Sequence, residues 1–348
     1  KERERAAATV LLAVRSCGRD HPFRERVRTL AGDGRAAMPS QTRPIRAADA
    51  LGRIILAAQL EYLKDTPVAE RPAHPAAADF PGSVPTDAER ITRAIPVAAG
   101  SRGWISTGLY AAPGEPIRVS GATPGMRLRI GCHKDLIWHL DVWRRAPEIT
   151  LSAPLAVGDT VISAPFGGLI YIEPEGAKAA AEVTIAGAVA APLFVLGQTS
   201  DEAWRSIREA PGPWAELASE KIIVTVPSAL VRELEDPAAV MRAWDEIADA
   251  AADLATIPRE RDRPERYVAD IQISAGYMHA GYPIMTHLDA APAMVSEEKL
   301  RAGQWGLFHE LGHNHQSPLW TFEGTTEVTV NLFSLYIMMR TLAKPELA

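Results

Sequence analysis

The sequence predicts a multidomain α+β chain in three parts. A helical amino-terminal region with a Pro-rich linker covers 1–85, a β-sandwich covers 86–190, and an α/β domain covers 191–348. Three observations point there. Apolar residues recur at helical spacing early in the chain. Short β-rich runs alternate with turn signals in the middle. Strand and helix patterns then alternate, and one late helical pattern carries His309-Glu310-Leu311-Gly312-His313.

In the first part, Ala6–Val14 is rich in Ala, Leu and Val. Residues 47–63 place Leu51, Ile54, Ile55, Ala58 and Leu63 on one helical face. Arg24, Arg26 and Arg28 read as a solvated helix face. Pro67–Pro85 holds five prolines and reads as a linker or irregular connection. In the second part, strands are expected at 104–110, 117–120, 126–132, 155–157, 160–163, 169–173 and 181–185. Gly- and Pro-containing turns separate them, the spacing of a β-sandwich. In the third part, 221–226 and 267–274 read as strands, the latter with alternating character, and 282–287 as a short extended segment. Residues 240–255 form an amphipathic helix. Ser296 caps a helix running to about His315, with Glu297 and Glu298 in its first turn. Thr325 or Thr326 opens a last helix to about Leu342.

Composition bounds the function. The hydrophobic share is 47% and the net charge is −6. That balance offers no basic footprint for nucleic acid. No apolar run approaches the roughly 20 residues of a membrane helix. The two cysteines, Cys17 and Cys132, lie far apart and are expected as free thiols, so they do not decide the compartment.

His309 and His313 sit four residues apart, so a helix puts both imidazoles on one face. Two nitrogens at that spacing suit one zinc ion, and Glu310 beside them suits a general base. A catalytic zinc needs a third protein ligand. His315, Glu323 and Glu327 are the downstream candidates. His315 points to another face and Glu323 falls in the connecting loop. Glu327 opens the last helix, with Asn331 one turn further on the same face. That is the pattern of zinc peptidases related to thermolysin, and it selects Glu327 as ligand and Asn331 as the residue that orients a ligand histidine. The bland reading is a surface helix with two solvated histidines.

Residues 308–316, Trp320 and Glu323–Asn331 together resemble the enhancin-like, mucin-degrading zinc metallopeptidases, peptidase family M sixty. So do Gly276–Met285, and upstream 103–110, 138–141 and 165–171. The resemblance covers about 86–340. It implies a zincin-like metallopeptidase domain of gluzincin type with an HExxH active-site helix, and one Zn2+ on His309, His313 and Glu327. It further implies Glu-assisted attack of zinc-bound water on peptide bonds of glycoproteins, mucin-like O-glycosylated ones above all, with glycan contacts. A secreted or cell-surface location follows from the same resemblance. The family's catalytic domain normally has more helical chain after the third ligand, so truncation at the carboxyl end is expected.

Other residues carry weaker signals. Tyr277, His279, Tyr282 and His287 are candidates for substrate contact or oxyanion stabilisation. An edge strand in this region would pair with extended substrate. Trp320 and Phe322 suit either a sugar platform or the core. Cys132, His133, Asp135, His139 and Asp141 alternate between strand faces and read as structural, not as a second metal site. Trp138 and Trp143 read as sandwich core. Two competing functions remain: a general gluzincin peptidase without glycan dependence, and a non-catalytic glycan-binding protein on the same fold.

Overall fold

The computed structural model describes residues 2–18, 20–31, 37–174 and 179–341. The first part is helical: α1 (Glu2–Ser16), α2 (Pro22–Ala31) and α3 (Ala50–Asp65), with a two-residue strand β1 (Ile45–Arg46) between the last two. Asp49 caps α3 by accepting from the Gly52 amide. Arg24 is not solvated as expected. It pairs with Glu61 and Asp65 and ties α2 to α3. The helices dock through stacked cations: Arg15 lies 4.2 Å over Trp138, and Arg53 lies 4.1 Å over Trp143.

Pro67–Pro85 is irregular but packed. Ala76, Ala77 and Phe80 are buried. The Trp214 indole donates to Pro81 O at 2.7 Å, and the Tyr110 hydroxyl donates to Gly82 O at 2.8 Å.

The second part holds β2 (Ile91–Val97), β3 (Ile105–Ala111), β4 (Pro116–Ser120), β5 (Arg127–Ile130), β6 (Val142–Trp143), β7 (Leu151–Pro154), β8 (Thr160–Ser163), β9 (Gly168–Glu173) and β10 (Ala181–Ala190). The short β6 pairs with β1. The other eight form one antiparallel sheet folded upon itself. Strand β10 is the hinge. Its first part pairs with β2 and β4, and its last residues pair with β3. The register shifts between Ala186 and Ala188, around Gly187 at φ 90°. Two sequence expectations fail here. Residues 155–157 are not a strand; the pairing segment is β7, just before them. Strand β2 alternates in burial, but its inward positions include Arg93, which donates to Thr107 O and Gly108 O, so the run lacks an apolar alternation and no strand is expected there from the sequence.

Strand β9 shows how this part meets the rest. All six of its residues are buried. Ile170 and Ile172 face the core between the two leaves. Leu169 and Tyr171 face the core shared with the carboxyl-terminal part. A strand covered on both faces reads as a continuous apolar run.

The third part builds on a six-stranded sheet in the order β11 (Leu193–Val195), β12 (Trp214–Ala218), β13 (Ile222–Pro227), β14 (Glu265–Asp270), β16 (Ile284–His287), β15 (Met278–His279). Its helices are α4 (Asp201–Ile207), α5 (Pro237–Ala255), α6 (Ala291–Met294), α7 (Glu297–Arg301), α8 (Trp305–His315), α9 (Thr326–Thr329) and α10 (Asn331–Thr341). The single helix expected from Ser296 to His315 is two. Ser296 caps α7 as anticipated, but Gly303 at φ 94° breaks the chain before α8. The last helix likewise divides at Val330, and Leu342 lies outside the described residues. Among the described residues no helix is long and apolar enough to cross a membrane.

Strand β14 was expected to alternate, yet every residue in it is buried. Its odd residues face the helices: Tyr267 packs on Trp244 of α5 and donates to Leu307 O of α8 at 2.7 Å. Its even charged residues face the folded sheet. Arg266 pairs with Glu216 and donates to Trp104 O at 2.9 Å. Asp270 accepts both arms of Arg145 at 2.9 Å, with neither side chain exposed. Removing one partner leaves a buried charge alone. Asp270→Ala should therefore lower unfolding free energy by about 3–5 kcal/mol in a urea titration.

Candidate metal centre

The loop Gly303-Gln304 delivers α8, and the Tyr267 hydroxyl fixes its first turn. Leu307, Phe308 and Leu311 point into the core, which turns the opposite face outward. That face carries His309 and His313. Gly312 lies on the buried side against α10. A Cβ there would sit 2.7 Å from Phe333 Cβ and 2.9 Å from Val330 Cγ2. The absent side chain lets the helix pair close.

This approach brings Glu327 and Asn331 to the histidines. The two Nε2 atoms are 3.2 Å apart, and Glu327 Oε2 is 3.1 Å from His309 Nε2. Glu327 Oε1 is 3.5 Å from His313 Nε2. One donor atom from each of the three lies within 4.8 Å of the others, and among the described residues no other His, Cys, Asp or Glu group gathers so. Glu327 is 76% exposed, so the cluster faces solvent.

The outer nitrogens are committed. His309 Nδ1 lies 3.1 Å from Asn331 Oδ1, and His313 Nδ1 lies 2.8 Å from Gln316 Oε1. An amide oxygen only accepts, so each Nδ1 carries the proton and each Nε2 presents a lone pair inward. Gln316 is itself held, its amide donating to Thr326 O at 2.9 Å and Thr329 Oγ1 at 2.8 Å. Sequence reasoning gave Gln316 no role. The signal was its i+3 position from His313, which shares a helical face.

Glu310 is half-buried. Burial raises its carboxyl above the ordinary value, and His309 and His313 pull it back. His315 lies apart, buried, with Nδ1 against Leu311 O at 2.8 Å and Nε2 against Arg261 at 2.7 Å. Burial lowers its pKa to about 4.

The remaining candidates are occupied within the fold. Tyr277 is exposed, stacks on His287 and donates its hydroxyl to Asp289 at 2.8 Å. Tyr282 lies under Arg263, and its oxygen accepts from the Trp104 amide at 3.0 Å. His279 contacts Asp135 at 2.7 Å. Trp320 packs against Phe333 at 5.8 Å between centroids, whereas Phe322 is exposed. His133 is enclosed by Phe80 and Trp214, and both cysteines are free.

Gly312→Ala should cost about 1–3 kcal/mol by overpacking the α8–α10 contact, read as a lower denaturant midpoint at unchanged slope.

Two family models match consecutive stretches of the chain. The N-terminal domain of M60-like peptidases matches residues 86–186, and peptidase M60, enhancin and enhancin-like, matches residues 187–345. TRPM8 channel-associated factor 2 of Bos taurus is 46% identical over 251 residues, 70% of this chain and 28% of that protein. The chain thus spans little more than a quarter of that relative's length. A conserved Bacillus anthracis protein of unknown function superposes with a TM-score of 0.61 at 24% identity, covering 74% of this chain and 57% of that one. The M60 catalytic domain of Clostridium perfringens ZmpC, solved with the sialyl T antigen, gives a TM-score of 0.56 at 19% identity, covering 70% and 56%. These structural likenesses show a shared fold.

Proposed function

Since this chain belongs to the M60 peptidase family of enhancin and enhancin-like proteins, we propose that it is a zinc-dependent endopeptidase that cleaves glycoproteins, mucin-like O-glycosylated ones in particular. The observation that carries the reading is the convergence of His309, His313 and Glu327, with both Nδ1 atoms engaged by amide oxygens.

The donor set fits zinc. Tetrahedral coordination at about 2.0–2.1 Å holds two nitrogens about 3.3 Å apart, and the two Nε2 atoms here are 3.2 Å apart. Three protein ligands leave a fourth position for chemistry. Zinc held there would supply Lewis acidity toward a carbonyl and make water nucleophilic near neutral pH. The chain's own contribution is separable. Asn331 and Gln316 orient the imidazoles and fix their tautomers. The Glu310 carboxylate, raised by burial and tempered by the two histidines, takes the proton of the attacking water. It then delivers that proton to the leaving amine. Exposure of Glu327 leaves the cluster open to a long polymeric substrate.

The glycoprotein preference rests on family membership and on fold likeness to a domain solved with the sialyl T antigen. A location outside the cell or at its surface goes with that substrate. A second reading has its own observation: a curated relative that the chain matches is named for association with the TRPM8 channel. A binding protein of that kind needs no general base, and the presence of Glu310 with all three ligands favours the peptidase.

Glu310→Gln should retain one zinc per chain and lose at least about 10²–10⁴-fold in kcat/KM. Asn331→Ala should weaken zinc binding by about 10–100-fold, measured by chelator competition. Mass spectrometry of products from a mucin, with and without enzymatic deglycosylation, tests the substrate class. Cleavage confined to the glycosylated form supports it, and equal cleavage of both forms would return the general peptidase. A wild-type chain that binds no stoichiometric zinc would remove the mechanism altogether.

A further inference from the structure

Strand β15 is the outermost strand of its sheet and only two residues long. It pairs with β16 through Met278↔Thr286 and His279↔Met285 alone. So short a strand does not hold itself in place. Yet it lies against the metal helix: a Cβ on Gly306 of α8 would meet Met278 Sδ at 3.1 Å. Asn314, next to His313, brackets Gly281, two residues past β15. Its Oδ1 accepts from the Gly281 amide at 3.0 Å, and its Nδ2 donates to Gly281 O at 2.9 Å.

The other side of this segment is held from a distance in sequence. One loop after β5 supplies three side chains. Asp135 Oδ2 accepts from the Ser274 amide at 2.6 Å and from His279 Nε2 at 2.7 Å, closing both ends of the turn that precedes β15. His139 Nε2 donates to Ser274 O at 2.9 Å, and Lys134 Nζ donates to Tyr282 O. The loop itself is anchored, since Arg145 donates to Asp135 O at 3.1 Å while pairing with Asp270.

His279 is charged on geometric grounds. Its Nδ1 lies 2.9 Å from Ala280 O, and its Nε2 meets the Asp135 carboxylate. A carbonyl and a carboxylate only accept, so both nitrogens carry protons. Both N–H groups are then spent inside the fold, and neither is left to aim at an oxyanion. Lys134 from the same loop opposes that charge, while Asp135 favours it.

We infer that Asp135 is a positioning residue of the metal site: it holds His279 as an imidazolium and so fixes the β15 edge on which an extended peptide is laid. This rests on the endopeptidase reading for its kinetic consequence, not for its structural one. The titration behaviour agrees. The Asp135 hydrogen bond raises the His279 pKa against the pull of burial. Burial would raise Asp135, but the hydrogen bonds from His279 and Ser274 prevail and hold it at about 2.

The test compares wild type, Asp135→Asn and Asp135→Glu in the full zinc-loaded chain. Selective ¹⁵N-histidine spectra, with His279 assigned through His279→Gln, should show both ring nitrogens protonated at about pH 7 in wild type and a neutral ring in Asp135→Asn. Amide exchange across 274–287 should quicken about 10-fold in Asp135→Asn, and Asp135→Glu should recover part of the protection. On a quenched-fluorescent peptide carrying O-linked N-acetylgalactosamine, KM should rise about 10-fold with kcat held within about threefold and zinc content unchanged. A neutral His279 in wild type, unchanged exchange, or a loss confined to kcat would each overturn the inference. Should Asp135→Asn fail to fold, His279→Gln carries the same exchange and KM readings. Wild type that cleaves nothing sinks the endopeptidase reading, while the spectra and exchange still decide the role of Asp135.

Discussion

The approach of α8 to α10 at Gly312 is the constraint on which the site depends. Glu327 and Asn331 reach the histidines only because Phe333 and Val330 pack where a side chain at position 312 would stand. The core side of α8 is filled by Leu307, Phe308 and Leu311, so the helix cannot roll to relieve a clash. The face that bears the donors is therefore set by the packing of the opposite one. Burial fixes the helix, and the helix fixes the spacing of 3.2 Å between the two Nε2 atoms.

The polar partners then convert spacing into chemistry. Asn331 and Gln316 accept from the Nδ1 groups, which turns both lone pairs inward. Gln316 is held in turn by Thr326 and Thr329 on the neighbouring short helix. The segment that supplies Glu327 thus also braces the ring of His313. Loss of one contact would loosen both the His313 ring and the element that carries Glu327, so these residues should behave as a coupled unit.

The local parts of this arrangement were legible in the sequence. The spacing of His309 and His313 needs only the helical period, and Glu327 with Asn331 needs it again. Helix breaks were less legible. Gly303 lies inside an otherwise helical pattern, and a glycine there is tolerated or terminating according to packing that the sequence does not display. Strand β14 misled for a related reason. Its Arg266 and Asp270 look like a solvated face, whereas each is buried against a partner far away in the chain. Asp135 reads only as structural in the sequence, because its partner His279 lies 144 residues on.

That distance bears on what the folded β-sheet part contributes. Arg266 reaches Trp104 and Ser106, Asp270 reaches Arg145, and Tyr171 donates to Glu216. These are buried polar contacts with directional demands, and they align the two parts more narrowly than apolar contact alone. Both charged residues of β14 that face the folded sheet take part, and β14 also sets the start of α8 through Tyr267. The same strand is therefore pinned on one face by the folded sheet and on the other holds α8. A sheet-rich domain placed before the site is then part of the frame that positions the His309, His313 and Glu327 cluster, and its separation from the rest would disturb that cluster before it unfolded α8.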